Sequence, residues 1–154
     1  MLTTYTHDGS VLGCTVPCGV AAFSILNGET IDTWSDRIID FRRKHDRYED
    51  EFTQWHKGYR FYSDRSTLYY KEAIHFLKPW AKGSVICLPR KIQLKNLVEN
   101  HLKPKRTYFI WLDEHAGVVH DKQFFDNGRH EDDWPRQKAR FYLEIDLQKV
   151  KPIG

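Results

Sequence analysis

Val16-Pro17-Cys18-Gly19-Val20-Ala21-Ala22-Phe23-Ser24-Ile25-Leu26-Asn27-Gly28 reads as a helix carrying a cysteine in its first turn, and the rest of the chain is organised around it. Pro17 suits a helix start, because its missing N–H would have no partner there and its φ is already helical. Gly28 suits the end, where a left-handed residue closes the last turn. Between them the residues are small or apolar nearly all round, the pattern of a helix buried on most of its surface. A thiol at the positive end of such a helix is favoured as thiolate, below the free cysteine value of about 8.5. The first backbone N–H groups there also point at any oxyanion formed beside the sulfur. A free cysteine is otherwise most simply a small buried hydrophobe, so the stretch alone does not decide between packing and catalysis.

Working outward, Thr30 offers an N-cap, and Ile31, Trp34, Ile38 and Phe41 fall on one face of a second helix ending near Lys44. Residues 45–62 alternate charges with aromatics without a firm period and stand as part helix or loop, a candidate substrate-facing surface. A third helix is predicted from Ser63 to the stop at Pro79, a strand over Ser84–Leu88 with Cys87 in the core, and a fourth helix from Lys91 to Leu102. Then come strands over Thr107–Leu112, His115–His120, Gln123–Asp126 and Arg140–Asp146. Helices first and an antiparallel meander afterwards argue for an α+β fold, with the helices packed on one sheet, in a single domain spanning 1–154.

Composition narrows the class. The chain has 154 residues, a formal charge of +3 and 14% aromatic residues, enough to bury a core, and its balance is too mild for a dedicated nucleic-acid binder. Three cysteines with no disulfide spacing favour a reducing compartment. Met1–Asp8 lacks a basic region followed by an apolar run, and no stretch approaches the ~18 apolar residues of a membrane span, so a soluble cytoplasmic protein with no membrane partner is expected.

A thiol hydrolase needs a histidine beside the sulfur and a third group orienting the imidazole. If Asp121-Lys122 is a hairpin turn, His115 at the start of one strand and Asp126 at the end of the next come side by side. His120 competes as base, and Asp121 and Asn127 are fallback orienters. Cys14 and Cys18 with His115 and His120 show the C-x3-C and H-x4-H intrapair spacings of zinc fingers. The gap between the pairs is too long for a finger, however, and the two histidines would lie on opposite faces of a strand, so no metal or other cofactor is expected.

In this order, cysteine at a helix start, histidine at a strand start and aspartate on the next strand, the chain resembles the papain-like fold. Pro17 through Gly28 is similar to the cysteine helix of bacteriocin-processing peptidases and of small phage-encoded papain-like proteins. His115-Ala116-Gly117-Val118-Val119-His120-Asp121 through Asp126 is similar to their histidine hairpin. The two matches cover 24 of the 154 residues. The resemblance implies a cysteine peptidase or amidase acting on a peptide or protein substrate in the cytoplasm, that of the host if phage-encoded. Cys18 is then nucleophile, His115 general base and acid, and Asp126 the orienter. Papain-like enzymes usually carry a glutamine shortly before the cysteine to complete the oxyanion hole. Here residues 12–16 supply none, and Thr15 or Ser10 is left as second donor. The second reading is therefore a catalytically inactive papain-like phage protein that binds and modulates a host protein.

Overall fold

The computed structural model describes residues 10–11, 14–15, 18–44, 70–112, 115–126 and 134–150. Two short strands, β1 (Ser10–Val11) and β2 (Cys14–Thr15), pair antiparallel and lead into helix α1 (Cys18–Asn27). Gly28 closes α1 at φ +76°, donating its N–H to the Ser24 carbonyl at 2.8 Å, a conformation glycine adopts without a Cβ penalty. The Thr30 hydroxyl then accepts the Thr33 N–H at 3.1 Å, capping α2 (Ile31–Lys44) as the sequence predicts. Asn27 ties the two helices together: its side-chain oxygen accepts both the Trp34 indole N–H at 2.9 Å and the Glu29 N–H at 3.0 Å. The predicted surface over residues 45–62 and the start of the third helix at Ser63 lie outside the described residues. That helix, α3, is described over Tyr70–Leu77. The α-helix ends at Leu77, ahead of Pro79 as the sequence predicts, and the chain then tightens into a 3-10 turn, Lys78–Trp80.

Five strands form one antiparallel sheet. They are β3 (Ile86–Gln93), β4 (Thr107–Leu112), β5 (His115–His120), β6 (Gln123–Phe125) and β7 (Lys138–Ile145), with helix α4 (Leu94–Asn100) between β3 and β4. The fold is therefore α+β, as expected, but not a plain meander. β4, β5 and β6 follow one another across the sheet, whereas the last strand returns to lie between β3 and β4.

Four expectations are corrected in this region. The strand predicted over Ser84–Leu88 runs from Ile86 to Gln93, straight through Pro89. Proline is tolerated because β3 is an edge strand and its pairing with β7 shifts register between Cys87 and Ile92. The fourth helix consequently begins at Leu94 and not at Lys91, and ends at Asn100. Cys87 is exposed and not part of the core: the inward residue of this stretch is Leu88. The final strand starts at Lys138, two residues earlier than predicted.

The sheet separates two apolar cores. On one face α1, α2 and α3 bury Phe23, Ile25, Trp34, Ile38 and Leu77 against Phe109, Ala116, Val118, Leu143 and Ile145. On the other, α4 buries Leu94, Leu97 and Val98 against Tyr108, Ile110 and Val119. Tyr142 also lies on this second face. Burial pushes its phenol pKa up, and Tyr108 beside it adds to the effect. Among the described residues no helix is long and apolar enough to cross a membrane.

Candidate active site

The site is built from the β5–β6 hairpin. Asp121 and Lys122 take φ +48° and +63°, the two left-handed residues of a type I′ turn, whose twist matches that of the strands it joins. A two-residue turn leaves no freedom of register: His120 faces Gln123, Val119 faces Phe124 and Val118 faces Phe125. Carried one step further, that register sets Asp126 opposite Gly117, diagonal to His115 on the same face of the sheet. The two side chains meet there. His115 Nε2 and Asp126 Oδ2 are 2.7 Å apart, with side chains only 5% and 4% exposed. An ionised carboxylate can only accept, so Nε2 carries the proton and Nδ1 is the basic nitrogen of the neutral ring. The sequence-predicted pairing of these residues is thus realised.

A third residue shapes the pair and was not singled out from the sequence. Gly117 lies under the Phe124 ring, and a Cβ on it would overlap that ring and stand 2.9 Å from the Phe125 carbonyl oxygen. Phe124 in turn sets its edge against the His115 imidazole, with centroids 6.4 Å apart at 63°. A bare backbone at 117 therefore lets an aromatic side chain buttress the histidine. Gly117→Ala is expected to cost about 1–3 kcal/mol, the range for overpacking. The cost should shrink when Phe124→Leu is made in the same chain, read as a shift in urea midpoint for the single and double variants.

The other candidates are placed differently. His120 stands at the far end of β5, about 16 Å along the strand from His115, where its Nδ1 and the buried Thr107 hydroxyl are 2.7 Å apart. It does not belong to the His115–Asp126 pair, and the two histidines cannot share a metal. Asp121 sits in the turn at that same far end, its carboxylate accepting the Lys105 N–H at 2.7 Å, and so is not an orienter of His115. Asn127 lies outside the described residues. Ser10 and Thr15 face each other across the β1–β2 pair. Among the described residues no three His, Cys, Asp or Glu side chains group to hold a metal ion.

Cys18 is the first residue of α1, and α1 packs against β5. That packing uses one face of the strand, with Ala116 and Val118 in contact with the core around Val20 and Phe23. By strand alternation His115 belongs to the other face, with Gly117, Val119 and Phe124. Because His115 opens the strand, a thiol and this imidazole can meet only around the end of β5 and not through the α1–β5 interface. No family model, curated protein or solved structure matches this chain.

Proposed function

We propose that the chain is a papain-like cysteine hydrolase cleaving amide bonds in peptides or proteins, with Cys18 as nucleophile, His115 as base and acid, and Asp126 as orienter. The observation that carries the reading is the buried His115–Asp126 pair, held by a hairpin next to the helix that begins with Cys18. In the proposed reaction the thiolate attacks the carbonyl carbon. The C–N bond breaks, and the departing amine takes a proton from the His115 imidazolium. His115 then removes a proton from water, whose oxygen displaces sulfur from the thioester and regenerates the thiol. Asp126 holds the ring in one tautomer throughout and stabilises the imidazolium.

A second reading, a papain-like binding protein acting on a host protein in the host cytoplasm, is favoured by one sequence and one structural observation. No glutamine precedes Cys18 to complete an oxyanion hole, a loss worth about 2.7–4 kcal/mol in transition-state stabilisation. In addition, His115 lies on the sheet face opposite α1.

Iodoacetamide modification of Cys14, Cys18 and Cys87 against pH, located by peptide mass, separates the two. In the hydrolase Cys18 reacts selectively, with an apparent pKa well below about 8.5, and His115→Ala removes most of that advantage. Equal reactivity of the three thiols, or indifference to His115→Ala, would leave only the binding reading.

A further inference from the structure

We infer that the outer edge of β3 docks an extended acidic polypeptide segment by strand addition. The inference does not depend on Cys18. Residues 84–98 and 134–143 together hold six lysines and arginines and no aspartate or glutamate, in a chain whose overall charge is only +3. The fold brings these stretches side by side. β3 pairs with β7 through Gln93–Lys138 and Ile92–Ala139, and the Leu94 N–H that opens α4 donates to the Gln137 carbonyl at 2.6 Å. Arg90, Lys95, Arg136, Lys138 and Arg140 are all exposed, and none has an ion-pair partner among the described residues.

The strand beneath them ends the sheet. No described strand lies beyond β3, so its outward backbone groups face away from β7. Ile86, 45% exposed, is the large apolar side chain left most open among the described residues, and it sits on this strand. Cations and a proline on an edge also serve to discourage pairing with other chains. That purpose does not account for Lys95 on α4 or Arg136 on the 3-10 turn at Trp134–Arg136, which are not on a strand edge. Within those two stretches the charge extends over three kinds of element and has one sign.

A polypeptide fits this surface better than a nucleic acid. Single strands are held largely by bases stacked on aromatic faces, and among the residues whose side chains are described the exposed large apolar side chain is the aliphatic Ile86 and not an aromatic. A strand can use what the edge does present: main-chain hydrogen bonds for affinity, and alternate side chains set against cations for selectivity.

The test is fluorescence anisotropy with a labelled peptide alternating glutamate and valine, against the intact chain. Binding is expected at low salt. Arg90→Glu with Lys138→Glu should weaken it about tenfold or more, with far-UV circular dichroism unchanged. Methylating alternate peptide amides, which blocks strand pairing but keeps every charge, should weaken binding to the unaltered chain to a similar degree. The proposal is overturned if the peptide does not bind. It is equally overturned if amide methylation has no effect, which would reduce the surface to plain charge attraction. Tighter binding of an oligothymidylate with the same sensitivity to the paired substitution would assign the edge to nucleic acid instead.

Discussion

Phe23→Ala should lower the free energy of unfolding by about 4 kcal/mol, a large part of the roughly 5–15 kcal/mol available to a domain. Phe23 lies in α1 with no exposed surface. Its ring stacks on Trp34 at 4.7 Å and on Phe109 at 5.8 Å, and meets Phe76 and Trp80 edge-on at 5.9 and 6.4 Å. One side chain thus touches α2, α3, the 3-10 turn and the sheet. Its truncation removes both buried area and the packing of four aromatic partners. A urea titration should show the midpoint falling with little change in slope. A shift under 1 kcal/mol would mean that the neighbouring rings close over the gap.

Asp126→Ala should cost about 3 kcal/mol, because it leaves a buried imidazole without its charged partner. Asp126→Asn keeps the volume and an acceptor oxygen, so it should recover much of that stability. If His115 and Cys18 act together, the asparagine variant should nevertheless lose cysteine selectivity in part, since an amide oxygen orients the ring without stabilising the imidazolium. Stability recovered with selectivity fully retained would confine Asp126 to a structural role. Thermal or urea unfolding and the alkylation profile are read on the same samples.

What the sequence discloses follows from how local each signal is. The bounds of β4 and β5 can be read from Thr107–Leu112 and His115–His120, because β-branched and aromatic runs are punctuated on both sides. The pairing of His115 with Asp126 is equally local, since a two-residue turn fixes register over the few residues that follow. α1 and α2 are legible from Gly28 and Thr30. Pro89 misleads because its meaning depends on whether the strand is central or at an edge, which is decided by residues 138–145 and not by its neighbours. Cys87 follows the same logic: an apolar run reads as core, yet on an edge strand with one covered face only alternate residues such as Leu88 turn inward. Gly117 could have been suspected from the absence of a side chain just before the branched Val118 and Val119. The reason for it is visible only once Phe124 lies across it.

The return of β7 to a slot between β3 and β4 has a consequence for synthesis. A ribosome releases β3, α4 and the β4–β6 hairpins well before residues 138–145, so until then β3 has no strand to pair with and β4 has one bare side. The earlier segments wait with those edges open, and the pairings that need the last strand form last. Completion of the sheet is thus a late, single event, and a nascent chain halted before Lys138 is the form most exposed to capture by chaperones or to aggregation.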